Sequence, residues 1–134
     1  MFEDIQKNKM KSWFKTVEDQ GTIYHDIDPF HTVFQFAPNV YSLYEENIQG
    51  GSAIWMHLID GSERALLVDT GSGIGQLKTL IKHLIGDKPL IVVNTHEHWD
   101  HVQGNYHFDV VYCHPYAVPS LTKSFMNPHI WDND

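Results

Sequence analysis

The sequence predicts an α/β protein: a mixed sheet, begun as an antiparallel meander, with helices on one face. Three observations carry this expectation. Short strand-like runs between residues 31 and 69 are broken by turn signals at Pro38-Asn39 and Asp60-Gly61. Within residues 74–85, Ile74, Leu77, Leu80, Ile81, Leu84 and Ile85 recur at spacings of three and four, the apolar stripe of a helix. Leu90-Ile91-Val92-Val93 is apolar throughout, as a strand buried on both faces is.

Taken in order, residues 2–18 space Phe2, Ile5, Met10, Trp13, Phe14 and Val17 as an amphipathic helix does, with Gly21 as its stop. Residues 1–21 therefore read as a helical extension. His31 to Ala37 and Val40 to Tyr44 read as strands, followed by Ser52 to Ile59. Asp60-Gly61 makes a hairpin turn into Arg64 to Asp69. The 74–85 helix follows, stopped by Gly86. Glycines 71, 73 and 75 superficially suggest a phosphate-binding loop. Their order lacks the dinucleotide spacing and no Lys-Ser or Lys-Thr follows, which argues against that reading. Leu90 to Asn94 is expected to be a central strand, Asp109 to Cys113 a further strand, and residues 117–125 a short helix. No repeat or linker divides the chain, so residues 1–134 read as one domain with its core at 30–125.

Composition narrows the function classes. Nine Lys and Arg against seventeen Asp and Glu give a formal charge of −8. That balance argues against nucleic acid, whose phosphates need a basic face, and against anionic membranes. The single Cys113 excludes an internal disulfide and a cysteine-rich zinc site, and its apolar setting suggests a buried structural thiol. The N-terminal residues lack a secretory pattern and no apolar run reaches membrane-spanning length. The expected setting is cytoplasmic.

The chemistry concentrates in Thr95-His96-Glu97-His98-Trp99-Asp100-His101. Imidazole and carboxylate are the ligand set of a borderline cation such as zinc. In an extended segment His96, His98 and Asp100 would share a side, whereas in a helix His98 and His101 would be neighbours. No single regular element gathers all four. A loop that leaves a strand and turns into a helix can, with His96 and His98 on one metal and Asp100 and His101 on a second. The bland alternative is a polar loop of solvated histidines, but isolated histidines do not ordinarily cluster this way.

At these residues the chain resembles the metallo-β-lactamase-fold hydrolase superfamily. Every fixed position of the pattern Thr-His-x-His-x-Asp-His is matched. Leu66-Leu67-Val68-Asp69-Thr70-Gly71 resembles the family's upstream strand ending in Asp-x-Gly, and Gly104-Asn105 resembles the pair after the histidine motif. The resemblance implies the N-terminal half of a four-layer αβ/βα sandwich. It assigns His96 and His98 to a first metal, Asp100 and His101 to a second, and Asp100 also to catalysis. It places Asp69 behind the ligands as an orienting carboxylate. A turn or helix cap ahead of Gly71 is the alternative for Asp69, and both can hold.

Family domains have a second half, which supplies a later histidine, a bridging aspartate and a last histidine. After the motif this chain offers only His107, His114 and His129. Of these His129 is the one late candidate, and a tail histidine is the simpler reading of it. Two functions follow. One is a metal-dependent hydrolase, present here as a shortened half-domain that is inactive alone. The other is a non-catalytic metal-binding or structural half-domain that works as a homo-oligomer. For the first, one or two zinc ions would acidify water to a pKa of about 7 and turn it on a carbonyl or phosphoryl centre. His98 stands where oxygen-reducing diiron relatives carry Glu, which favours hydrolytic zinc. The small-molecule substrate is open. A homodimer is expected, because a sheet face meant for the second half, with apolar residues such as Trp55, Leu67 or Val92, would otherwise meet water.

Overall fold

The computed structural model describes residues 20–46 and 53–126. The expected 2–18 helix and His129 lie outside the described residues. Strands β1 (Thr22–Tyr24), β2 (Asp28–Ala37), β3 (Val40–Glu46), β4 (Ala53–Asp60) and β5 (Ala65–Val68) form an antiparallel meander, each paired with the next. Helix α1 (Leu77–Ile85) then crosses over to β6 (Leu90–Val93), which pairs parallel with β5. The six strands lie in the order β1-β2-β3-β4-β5-β6. The mixed sheet with a helix on one face matches the expected α/β architecture.

Residue parity decides what the helix covers, because successive side chains on a strand point to opposite faces. Val33, Leu43, Met56, Leu58, Ala65, Leu67 and Val92 face one way and enclose Leu77, Leu80, Ile81 and Ile85 of α1. Burying an aliphatic side chain stabilises by about 1.5–3 kcal/mol, so this layer is the main source of cohesion. The other face carries Phe34, Phe36, Tyr44 and Trp55, whose rings contact one another across β2, β3 and β4 at centroid distances of 5.0–5.8 Å. Phe36 is 63% exposed there and Ile59 37%.

Several expectations need correction. Leu90 to Asn94 is not central: β6 ends the sheet, and Leu90, Ile91 and Val93 are only half-buried. Its apolar run reflects one buried side, at Val92, and one uncovered side. Leu67 and Val92, expected on the open face, point into the helix layer, while Trp55 lies on the open side. Asp109 to Cys113 is not a strand. Only Tyr112 pairs, by an isolated parallel bridge to Val93, with Tyr112 N donating to Val92 O and Asn94 N to Tyr112 O, each at 2.8 Å. Val111 leans on the core and Cys113 is half-buried, but Val110 and Tyr112 stay exposed.

Helix α1 begins at Leu77 rather than 74. Gly71, Gly73 and Gly75 hold φ of 70°, 86° and 75°, and Asp28 Oδ2 takes the Gln76 amide at 2.8 Å where the helix starts. Beyond β6 come a single turn α2 (Trp99–Val102), 3-10 turns at Gln103–His107 and Pro115–Ala117, and α3 (Val118–Met126). Helix α3 forms close to its expected place, but of residues 117–123 only Ala117, just before it, is buried, and Val118 is exposed, so this stretch does not seal the sheet.

Candidate metal centre

The C-terminal ends of parallel β5 and β6 are tied together by Asp69. Its amide donates to Val93 O at 2.8 Å, and its carboxylate accepts from the Thr95 amide and the Thr95 hydroxyl, each at 2.8 Å. Asp69 is the one non-glycine residue among those described with positive φ, 65°. Asp is one of the few residue types that visits this region readily, and the knot of hydrogen bonds holds it there.

From this tie the chain runs through His96 and Glu97 to an extended His98, the cap of α2, and then turns helical through Trp99, Asp100 and His101. This strand-to-loop-to-helix path is the one the sequence called for. It sets the His96 ring 4.7 Å from that of His98 and 4.1 Å from that of His101, centroid to centroid. The Asp100 carboxylate lies 3.6 Å from His101 Nε2. His98 is exposed; His96, Asp100 and His101 are half-buried. Among the described residues, no three His, Cys, Asp or Glu side chains are already drawn around a single point tightly enough to hold an ion.

Hydrogen bonding behind the rings settles how they can act. His101 Nδ1 donates to Asp69 Oδ2 at 2.8 Å, which leaves Nε2 to face outward. The single hydroxyl proton of Thr95 goes to Asp69, so its oxygen is left to accept from His96 Nδ1–H at 2.8 Å. In the neutral ring, these bonds leave Nε2 as the lone-pair nitrogen, the form a cation binds. A carboxylate behind ligating imidazoles is the usual outer support of such a centre. Donor types, tautomers and support therefore fit zinc. The Asp69 carboxylate hydrogen-bonds His101 and Thr95, and its backbone, at φ 65°, makes the turn ahead of Gly71.

Sequence reasoning missed two supports. The first is a buried amide knot. Asn94 and Asn105 exchange hydrogen bonds at 3.1 and 2.8 Å, and Asn105 Oδ1 also accepts from the Thr70 hydroxyl at 2.8 Å. The signal was present in Gly104-Asn105, read only as a motif pair. The second is a buried ionic cluster. His31 Nδ1 donates to Asp28 Oδ2 at 2.8 Å and Nε2 to Glu45 Oε2 at 3.3 Å. Burial opposes charge on His31, but hydrogen bonds and attraction from Asp28 and Glu45 prevail and raise its pKa to about 9. Burial likewise opposes charge on Asp28, yet His31 and the amides of Phe30 and Gln76 hold its carboxyl below the usual range. An in-facing polar residue on an otherwise apolar strand face was the available sign.

The later histidines lie elsewhere. His114 caps the Pro115–Ala117 turn, its Nδ1 accepting from the Tyr116 amide at 3.1 Å. His107 Nε2 is buried without a hydrogen-bond partner, and burial pulls its pKa down. Cys113 is free and half-buried. No helix among the described residues is long and apolar enough to cross a membrane.

This histidine-bearing loop at the end of a mixed sheet defines the class: the chain belongs to the metallo-β-lactamase superfamily, whose sequence pattern residues 50–134 match. Among characterised relatives, the acyl-coenzyme A thioesterase MBLAC2 of Gallus gallus is 28% identical over 92 residues, covering 63% of this chain and 33% of that protein. The Bos taurus protein of the same name is 30% identical over 95 residues, covering 63% and 34%. The chain thus spans about a third of the length of these relatives. Among solved structures, a metallo-beta-lactamase from Pontibacter korlensis superposes with a TM-score of 0.60 at 18% identity, over 71% of this chain and 48% of that one. FIM-1 from Pseudomonas aeruginosa, solved in a mono-zinc form, gives 0.59 at 18% identity over 71% and 46%. These likenesses establish the shared fold.

Proposed function

We propose that this chain carries the metal-holding half of a zinc-dependent hydrolase acting on acyl thioesters. The observation that carries the reading is the support of His96 and His101 by Asp69 and Thr95, which leaves both Nε2 atoms free to bind a cation. His96, His98, Asp100 and His101 would hold one or two ions. When bound, zinc acts as a Lewis acid that acidifies water and polarises a carbonyl. The protein's part is to fix the rings, through Asp69 and the Asn94–Asn105 knot, and to present Asp100 beside His101. The thioester class comes from the acyl-coenzyme A thioesterases that the chain resembles.

Four donors give only two to each of two adjoining ions, whereas catalytic zinc takes three protein ligands plus water. On this reading the 134-residue chain binds zinc weakly and is catalytically silent by itself. The open aromatic face, with Phe36 63% exposed, favours pairing of two copies through it. Calorimetry is expected to give micromolar or weaker zinc affinity, lost in a His96→Ala, His98→Ala double variant. Thiol release from an acyl-coenzyme A is expected to stay at the level of that variant. Tight stoichiometric zinc in a proven monomer, or turnover well above the variant, would show a complete site and defeat the half-site reading.

A further inference from the structure

We infer that Asp28, His31, Glu45 and Ser72 form a positioning network for the metal loop, acting on Asp69 and Thr70 through the turn that connects β5 to α1. Asp28, His31 and Glu45 are 0%, 1% and 2% exposed, and His31 and Glu45 share the in-facing side of Val33 and Leu43 on β2 and β3. An apolar trio would hold two strands together at least as well, since a buried ionic cluster adds little net stability over hydrophobic packing. The cluster is better explained by what its two carboxylates accept besides His31. Asp28 accepts the Gln76 amide at 2.8 Å. Glu45 Oε2 accepts the Ser72 amide at 3.2 Å, and Glu45 Oε1 accepts the Ser72 hydroxyl. The turn is therefore gripped at both ends by carboxylates that His31 holds in place.

The grip is close. A Cβ on Gly71 would stand 2.5 Å from Glu45 Oε2, and one on Gly75 would stand 2.7 Å from Asp28 Oδ2, both at positive φ. Gly71 and Gly75, two of the three glycines that superficially resembled a phosphate cradle, in fact receive the protein's own carboxylates. From the gripped turn, contacts run straight to the metal loop. Gly73 O accepts from the Tyr106 hydroxyl at 2.6 Å. Thr70, two residues before Ser72, donates its amide to His101 O at 2.9 Å and its hydroxyl to Asn105. Asp69 holds His101 and Thr95. Moving the turn would move the pair of residues that set the imidazoles.

The inference rests on the metal-centre reading, so its test has one arm that needs no ion. Ser72→Ala removes one hand of the grip and leaves the buried Asp28, His31 and Glu45 in place; Ser72→Thr keeps the hydroxyl; His31→Gln removes the charge. Amide exchange of Thr70 and Thr95 is measured on the metal-free folded chain, and zinc affinity by chelator competition, with thermal stability alongside. The expected result is about tenfold faster exchange and about tenfold weaker zinc in Ser72→Ala, the scale on which outer supports act, with recovery in Ser72→Thr. His31→Gln, where it folds, should match or exceed Ser72→Ala. Exchange and zinc affinity within twofold of the parent in folded Ser72→Ala, with only thermal stability lowered, would overturn the network's positioning role. If the parent binds no zinc, the metal reading fails, and the exchange arm still decides this one.

Discussion

Asp69 concentrates four tasks in one side chain: it joins β5 to β6, turns the backbone at φ 65°, fixes the Thr95 hydroxyl and orients His101. Asp69→Asn keeps the shape but puts a donor where an acceptor is needed. Its zinc affinity is expected to fall about 10- to 100-fold, as for other outer supports of metal ligands, measured by chelator competition. His31 sets a different dependence. Its folded pKa of about 9 exceeds the unfolded 6.5, so its contribution is fully present below pH 6.5 and is lost as pH rises through 9. The shift corresponds to stability on the order of 3 kcal/mol. His107, whose pKa is lowered, works in the opposite sense: its contribution is present above pH 6.5 and declines below it. Asp28, also lowered, adds stability above 3.8 that is lost as pH falls through its folded pKa. Urea midpoints across pH 5–10 are therefore expected to peak near 6.5 and drop toward 9.5. A midpoint that stays level from 6.5 to 9.5 would show that His31 is not held charged.

Among the elements, α1 bears the packing. Leu80 is 0% exposed and sits among Leu58, Leu67 and Val92, so Leu80→Ala is expected to destabilise by about 2–5 kcal/mol. Val110→Ser, on the exposed segment after the 3-10 turn, should change stability by about 0.5 kcal/mol or less in the same denaturant titration. The contrast also shows what the sequence could reveal. The 74–85 periodicity and the turn pairs at 38–39 and 60–61 are local, so the meander and the helix were legible. The histidine loop was legible too, because its spacing alone demanded a strand turning into a helix. Leu90 to Val93 was misjudged because an apolar run reports low polarity on both sides, not which sides are covered. Asp109 to Cys113 has strand-prone residues but, among the described residues, no strand beyond it, and pairing needs a partner that composition does not reveal. The His31 cluster joins residues 28, 31 and 45 to 72 and 76, contacts that no local pattern encodes.

For the molecule as a whole, the sheet's two faces decide its behaviour. One is sealed by α1; the other carries the Phe34, Phe36, Tyr44 and Trp55 rings, with Phe34 buried and Phe36 exposed. On the homodimer proposed above, light scattering at micromolar concentration is expected to report twice the chain mass, and Phe36→Glu to shift the population toward monomer. A single-chain mass for the parent at that concentration would count against pairing. The strand order carries a further consequence, for the route by which the chain reaches this state. Among the described residues every strand neighbours the one before it in sequence, and the one crossover, from Val68 to Leu90, is spanned by a single helix. Folding speed rises as contacting residues lie closer along the chain, because less loop-closure entropy opposes each step. The hairpins can zip successively as the polypeptide emerges, leaving the β5–α1–β6 unit to close last. The histidine loop would then take its shape only on a sheet that is already built.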